Sequence, residues 1–205
     1  MPGGPSPGHG TWRPTPTSAP RPSACSMCSR RATRDDGGGR VRIHLISIGQ
    51  RMPAWVDAGF EDYARRLPQA CALALKAVPG GLAGKGRSRT GHVDDGELPR
   101  LRRDEGERLL AAVPAQARII ALDVRGRGWS SEQLAGQLAG WLADGRDLAL
   151  LVGGPNGLSE ACLGRAEQRW SLSPLTLPHP LVRVVLAEQL YRAWSQLQGH
   201  PYHRG

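Results

Sequence analysis

The chain has 205 residues, 40% of them hydrophobic and 22% charged, which suffices for one globular domain with its own core. No apolar run is long enough to cross a bilayer or to form a signal-peptide core, so a membrane-spanning or secreted protein is excluded and a soluble, cytoplasmic protein is expected. The formal net charge of +9 suits a polyanionic partner.

The first 40 residues differ in composition from the rest of the chain. They contain seven prolines, seven glycines and nine serines or threonines without an apolar pattern, so burial cannot offset their ordering entropy. We expect a disordered tail over residues 1–40 and one domain over residues 41–205. Cys25 and Cys28 resemble half of a zinc site, but no second pair follows at a suitable spacing, so no metal is expected.

Alternating strands and helices are predicted from Val41 onward. Residues Val41–Ile48 are β-branched and largely apolar, which predicts a buried strand, and apolar side chains at helical spacing predict a helix over residues 54–67. Further strands are predicted at Cys71–Val78, 118–123 and Asp147–Val152. Two helices are predicted between them, one with an inner face of Leu101, Leu109, Leu110 and Val113 and one capped by Ser130 or Ser131. This order implies an α/β fold with a mostly parallel sheet, whose ligands bind at the carboxyl ends of the strands.

A glycine-rich loop, Gly153-Gly-Pro-Asn-Gly157, follows the last of these strands and precedes Ser159, which can cap a helix. Glycine lets the backbone approach a ligand closely, and the loop lies where a ligand is expected. The segment does not match Gly-x-Gly-x-x-Gly, which disfavours a nicotinamide cofactor. Taken alone, it is also an ordinary glycine turn.

The most informative stretch begins at Trp170. Residues Leu172–Leu177 alternate apolar and small polar side chains, which predicts a short strand that ends at Pro178. Pro178 and Pro180 flank His179, so we expect this histidine on a stiff, non-helical hinge with Pro180 in the first turn of a helix. On that helix Glu188 and Arg192 are four residues apart, so they either meet a ligand or form a weak surface ion pair.

Three segments together resemble one known family. They are residues 170–194, Leu150–Ser159 (Leu-Leu-Val-Gly-Gly-Pro-Asn-Gly-Leu-Ser) and His200–Arg204 (His-Pro-Tyr-His-Arg). In this order and spacing they resemble the RlmH family, over residues 41–205. The resemblance implies a SPOUT α/β-knot methyltransferase fold with a carboxyl-terminal trefoil knot, an exception to the rule against threaded chains. It also implies methyl transfer from S-adenosylmethionine to N3 of a pseudouridine in 23S ribosomal RNA.

The resemblance further implies which residues hold S-adenosylmethionine. Three loops of this family read the adenine through backbone groups. The corresponding residues are Leu122; Gly153, Gly154 and Gly157; and Leu172, Ser173, Pro174, Leu175, Thr176 and Leu177.

The implied reaction requires a base, because an imide N3 carries a proton and the sulfonium donor is already activated. The candidates are His179, Glu188, Tyr202 and His203, and the residues alone do not decide among them. Three arginines are available to hold phosphate or to stabilise charge: Arg183, Arg192 and Arg204. The family resemblance implies that the tail Tyr202-His203-Arg204 completes a composite site at a homodimer interface, and Tyr191 and Trp194 either pack or contribute to that interface.

The implied partners are large-subunit ribosomal RNA within the ribosome and a second copy of the chain. The basic loop Pro79–Pro99 either contacts the RNA backbone or is a solvated surface loop. Two alternatives stay open: a SPOUT enzyme that acts on transfer RNA, and a ribosome-binding assembly factor that has lost catalysis. The resemblance begins at Val41, which predicts a native start at that position with methionine from a GTG codon.

Overall fold

The computed structural model describes residues 40–80 and 96–204, with the backbone alone at 203 and 204. The strands are β1 (Ile43–Ile48), β2 (Leu73–Val78), β3 (Arg118–Gly128), β4 (Leu148–Val152) and β5 (Gln168–Ser171). The helices are α1 (Ala54–Ala64), α2 (Leu98–Ala111), α3 (Ser131–Asp144), α4 (Glu160–Arg165) and α5 (His179–Leu197). Short 3-10 helices cover Gln69–Cys71 and Pro201–Arg204. Cys25, Cys28 and the predicted tail lie outside the described residues, as does most of the basic loop.

The five strands form one sheet in the order β2-β1-β4-β3-β5, and every pairing is parallel. Strand β4 lies in the middle, and all five of its residues are buried. A strand covered on both faces needs apolar side chains in both directions, which explains the unbroken sequence Leu-Ala-Leu-Leu-Val. The predicted α/β fold with a parallel sheet is therefore confirmed.

Successive side chains of each strand point to opposite faces of the sheet, where they pack into two separate cores. Leu148 and Leu150 pack with α1, α3 and α5, whereas Ala149 and Leu151 pack with α2 and α4. The first core also contains Trp141 and Trp170, and the second contains Cys162. Cys71 is buried in the first core, and both Cys71 and Cys162 are free cysteines.

Helix ends are fixed by side-chain caps at two predicted positions. The Ser130 hydroxyl accepts a hydrogen bond from the Gln133 N–H, and the Gln133 side chain in return accepts one from the Ser130 N–H. This capping box starts α3 at Ser131, so the cap is Ser130 rather than Ser131. Ser159 likewise accepts a hydrogen bond from the Cys162 N–H and starts α4 directly after the glycine-rich loop.

The strand predicted at Leu172–Leu177 is wrong. The last strand is Gln168–Ser171, and the next residues form turns in which the Ser171 hydroxyl donates to the Ser173 carbonyl and the Leu175 N–H donates to the Ser173 hydroxyl. Serine side chains that bond the nearby backbone compete with a strand ladder, and Pro174 has no N–H to donate to one.

Other boundaries also differ from the prediction. Helix α1 ends at Ala64 rather than at residue 67, and Cys71 belongs to the 3-10 helix before β2 rather than to the strand. His179 is the first residue of α5 rather than part of a non-helical hinge, with Pro180 in the first turn as expected. Strand β3 extends to Gly128 because, beyond a register shift between Leu122 and Arg127, it pairs again with β5. A Cβ on Gly126 would lie 2.8 Å from backbone atoms of Arg169 and Trp170, so this close crossing requires glycine. No helix within the described ranges is long and apolar enough to cross a membrane.

Candidate methyl-donor site

A cavity of about 460 Å³ opens beside the carboxyl ends of β4 and β5, where β3 ceases to pair with β4. Its volume is within the range of ~300–1,000 Å³ that is usual for small-molecule sites. Three segments line it, and they contain nine of the ten residues predicted to hold a cofactor: Leu122, Gly153, Gly154, Gly157, Leu172, Ser173, Leu175, Thr176 and Leu177. Pro174 lies in the same loop but does not line the cavity.

The three glycines of the glycine-rich loop present bare backbone to the cavity, beside the lining residues Pro155 and Asn156. Gly154 and Gly157 form a short antiparallel bridge with a 2.9 Å hydrogen bond from the Gly157 N–H to the Gly154 carbonyl, and Gly157 has a φ of 81°. A Cβ on Gly153 would lie 2.6 Å from the carbonyl carbon and oxygen of Gly157. A Cβ on Gly154 would lie 2.7 Å from the buried carboxylate of Glu105 on α2. The loop is therefore glycine because its own packing excludes side chains, and a ligand meets main-chain atoms there.

Charged side chains at the cavity complement its apolar walls. They were not predicted from the sequence: Arg102 on α2, Asp123 and Arg125 on β3, and Glu160 at the start of α4. The Asp123 side chain is 11% exposed and accepts a 3.0 Å hydrogen bond from the Arg125 N–H. Asp123 directly follows Leu122 at the point where β3 leaves β4. That position in the sequence could have predicted a side chain at the cavity. Arg102 comes from a distant segment and left no such signal, whereas Glu160 lies three residues after Gly157 of the glycine-rich loop.

His179 lines the same cavity from the first residue of α5. Burial lowers the pKa of its imidazole below the usual value of 6.5, and the positive charge of Arg183 acts in the same direction. The ring is therefore neutral near pH 7 and can accept a proton.

Arg183 is 1% exposed and does not line the cavity. Its guanidinium donates to the Ser47 hydroxyl at 3.2 Å, to the Ile48 carbonyl at 3.2 Å and to the Gly49 carbonyl. Burial lowers its pKa, and the negative charge of Asp57 opposes that effect. In this structure Arg183 joins α5 to the carboxyl end of β1.

Glu188 and Tyr202 lie in a separate group on the outer part of α5. Glu188 accepts hydrogen bonds from Arg192 and from the Tyr202 hydroxyl. Nine residues separate Glu188 from His179, which is about 13 Å of helix rise. The structure therefore does not bring Glu188 and Tyr202 together with His179 in one chain. The side chains of His203 and Arg204 lie outside the described residues.

The comparison that decides the family covers this whole region. A family model described as a predicted SPOUT methyltransferase matches residues 41–203, which include every wall of the cavity. The chain belongs to the SPOUT methyltransferase family.

Three relatives of this SPOUT methyltransferase carry the name Ribosomal RNA large subunit methyltransferase H. The proteins from Thioalkalivibrio sulfidiphilus and Methylococcus capsulatus are each 54% identical over 164 residues, which is 80% of this chain and 99% and 100% of theirs. The protein from Alkalilimnicola ehrlichii is 56% identical over 164 residues, 80% of this chain and 99% of its own. The resemblance to the RlmH family is confirmed. A solved probable methylase family protein from Haemophilus influenzae aligns with 80% of this chain and 70% of that one, at 14% identity and a TM-score of 0.44.

The cavity of this SPOUT methyltransferase fits the chemistry of S-adenosylmethionine. Leu122, Leu172 and Leu177 offer apolar surface for an adenine ring, and the glycine loop offers backbone groups. The charged side chains of Asp123, Arg125 and Glu160 suit a zwitterionic amino-acid end. Within the described residues, no group of three or more His, Cys, Asp or Glu side chains is arranged to hold a metal ion.

Proposed function

We propose that this chain is a 23S ribosomal RNA methyltransferase that uses S-adenosylmethionine to methylate N3 of a pseudouridine, on assembled ribosomes in the cytoplasm. The observation that carries the proposal is the 54–56% identity to proteins of that name over 99–100% of their length. The cavity at the strand ends supports it, because its three walls are those that the RlmH resemblance assigns to the cofactor.

In this proposal the cofactor supplies a methyl group on a sulfonium, which needs no further activation by the protein. The three loops around Leu122, Gly153 and Leu172–Leu177 hold it against the carboxyl ends of β4 and β5. The task left to side chains is to remove the N3 proton of the substrate or to stabilise the resulting anion.

We assign proton removal to His179. It is the one base candidate with a described side chain that lines the cavity, and burial keeps its imidazole neutral at neutral pH. Glu188 is a weaker candidate because an arginine and a tyrosine already bond its carboxylate. Removing a general base typically lowers the rate about 10²–10⁴-fold.

We further propose that the active form is a homodimer with a knotted carboxyl-terminal segment. Trp55 and Leu181 are 56% and 36% exposed on the first turns of α1 and α5, which pack against each other through Gly59 and Val184. Exposed apolar side chains on adjoining helices suit a contact between subunits. In such a dimer the tail residues Tyr202, His203 and Arg204 of one subunit would complete the cavity of the other.

Ribosomal RNA would approach the cavity along α2. A second cavity of about 260 Å³ adjoins the first and shares Arg102, Leu158 and Glu160 with it. Arg102 and Arg103 are exposed there, and in the described part of the chain neither forms an ion pair with a carboxylate. Free guanidinium groups beside a nucleotide-sized cavity suit contacts to RNA phosphates.

The deciding experiment is transfer of labelled methyl from S-adenosylmethionine to purified ribosomes, free ribosomal RNA and transfer RNA from cells that lack this activity. Label in ribosomes, located by mass spectrometry at N3 of one pseudouridine, supports the proposal. Label in transfer RNA alone would assign the chain to another SPOUT activity. Cofactor binding without transfer to any substrate would favour an assembly factor.

A further inference from the structure

The last residues of the described chain fold back onto α5 around one tyrosine. Pro201–Arg204 forms a 3-10 helix, and Tyr202 points into a group of aromatic side chains from α1 and α5. Its ring lies edge-on to Tyr191, with centroids 4.8 Å apart, and its hydroxyl oxygen lies 3.5 Å from the hydroxyl oxygen of Tyr63. Tyr191 in turn stacks on Trp194 at 6.0 Å. Chain ends fray unless they are tied down, so these contacts hold the tail.

Glu188 occupies the centre of this arrangement. One of its carboxylate oxygens accepts hydrogen bonds from the Arg192 Nε at 2.9 Å and from the Tyr202 hydroxyl at 3.3 Å. The other accepts a 2.6 Å hydrogen bond from the Gln189 side-chain amide. Both oxygens are therefore occupied by donors from the same chain. A carboxylate in this state orders its neighbours, and three donors of its own chain compete with a substrate proton for its oxygens.

Arg192 closes the arrangement from the other side. Its Nη2 lies 2.7 Å from Oε1 of Glu188, and its guanidinium carbon lies 5.1 Å from the centre of the Tyr202 ring. The side chains of Glu188 and Arg192 are 17% and 25% exposed, so solvent screens this pair less than a surface pair. The three side chains thus contact one another in a closed set, and the two helical members lie on one face because they are four residues apart.

We propose that Glu188 and Arg192 are positioning residues that anchor the carboxyl-terminal tail through Tyr202. The anchor fixes the backbone from which His203 and Arg204 extend. Anchoring is thus the role proposed for Glu188, in place of the role of catalytic base that the sequence left open for it. The inference rests on the proposed function in one respect, namely that the tail takes part in methyl transfer.

The structural half of the test uses tyrosine absorbance. The chain has three tyrosines, Tyr63, Tyr191 and Tyr202, and all belong to this group. Burial raises the pKa of Tyr202 above its usual value of 10, and Tyr63 and Glu188 act in the same direction. In the full-length Glu188→Ala protein, one tyrosine should ionise at lower pH than in the parent, and carboxypeptidase should remove the tail faster. An unchanged titration and digestion rate would overturn the anchor. Glu107→Gln, at an exposed position on α2, is the matched control.

The catalytic half of the test distinguishes an anchoring role of Glu188 from the role of a catalytic base. Glutamine at position 188 keeps an oxygen that accepts from Tyr202 but cannot take a proton at neutral pH. As an anchor, Glu188→Gln should retain kcat within about threefold and keep the pH–rate profile, whereas Glu188→Ala should lose at least about tenfold, with unchanged S-adenosylmethionine affinity. As a base, Glu188→Gln should itself lose about 10²–10⁴-fold, and that result would overturn the proposal.

Arg192 provides the second variant. Lysine keeps the charge but not the planar fork, so Arg192→Lys should release the tail and lower kcat as Glu188→Ala does. If instead Arg192→Lys and Arg192→Ala both leave tail digestion and kcat at parent values, the anchor is refuted. Failure of the proposed function is a different result, because the parent protein would then transfer no methyl group while the tyrosine titration of Glu188→Ala still shifted.

Discussion

Replacing Gly153 by alanine tests whether the glycine loop is part of the donor site. The added Cβ would lie 2.6 Å from the carbonyl carbon and oxygen of Gly157 and 2.9 Å from the Leu158 nitrogen. All three atoms are backbone, so no side-chain rotation relieves the overlap. The part of the loop that carries Gly157 must move by about 0.8 Å, because ordinary van der Waals contact begins at 3.4 Å. Such overpacking costs about 1–3 kcal/mol of unfolding free energy.

The same displacement moves one wall of the cavity. We expect Gly153→Ala to lower the midpoint of thermal unfolding by roughly 2–12 °C and to weaken S-adenosylmethionine binding at least about tenfold, since sites are sensitive to shifts of ~0.5 Å. Calorimetric titration measures the affinity, and a thermal melt measures the stability. Gly136→Ala is the control because its Cβ meets nothing within 4 Å on α3, and it should raise stability by about 0.5–1 kcal/mol. Unchanged donor affinity in folded Gly153→Ala would refute the assignment of this loop.

Three further predictions concern His179 in the cavity, Arg183 buried beneath α5 and Arg103 at the second cavity. His179→Gln should lower kcat about 10²–10⁴-fold, and activity of the parent should fall only as pH drops through the lowered pKa of His179, below its usual 6.5, because protonation removes the base. Arg183→Met should destabilise the fold by about 3 kcal/mol, measured by denaturant unfolding, since it leaves the Ser47 hydroxyl and two β1-end carbonyls without their donor. Arg103→Gln should raise KM for ribosomes and reduce the salt slope of that KM by about 0.7, the value for one phosphate contact to a single strand.

Each of these predictions has its own control. His179→Gln should bind S-adenosylmethionine normally, and an unchanged pH–rate profile in this variant would exclude the histidine as base. Arg183→Lys should recover little stability because one ammonium cannot reach all three acceptors, and full recovery would contradict the fork geometry. Arg65→Gln, at the exposed C-cap of α1, should leave KM for ribosomes unchanged. An equal effect of the two arginine variants would indicate net charge rather than a contact at Arg103.

Local sequence patterns were sufficient to predict the parallel sheet. β4 is apolar throughout because it is covered on both faces, and Ser130 is a capping residue by type and position, so both features could be read without knowledge of the rest of the chain. The glycine loop was placed at a strand end by the same reasoning. The role proposed for it in holding S-adenosylmethionine rests on the family resemblance, because a glycine turn by itself is ordinary.

The features that could not be predicted depend on contacts between distant segments. Leu172–Leu177 has the alternation of a strand, but serine hydroxyls and Pro174 give it a turn instead. The sequence presented Arg183 as a free cation, whereas its acceptors lie at Ser47, Ile48 and Gly49, more than 130 residues earlier. Arg102 reaches the cavity because α2 packs against α4, which follows the glycine-rich loop, and no spacing in the sequence records that proximity.

The bare backbone wall of the cavity also has a consequence for inhibitors. A compound that competes for this site through the peptide groups of Gly153, Gly154 and Gly157 meets no side chain there that mutation could shorten or exchange. Resistance at these three glycine positions could arise only by adding atoms, and at Gly153 and Gly154 these would strike Gly157 or the Glu105 carboxylate. A resistant enzyme would therefore first have to tolerate damage to its own fold, so we expect escape substitutions to concentrate at the charged rim, where Arg102, Arg125 and Glu160 can change at little structural cost.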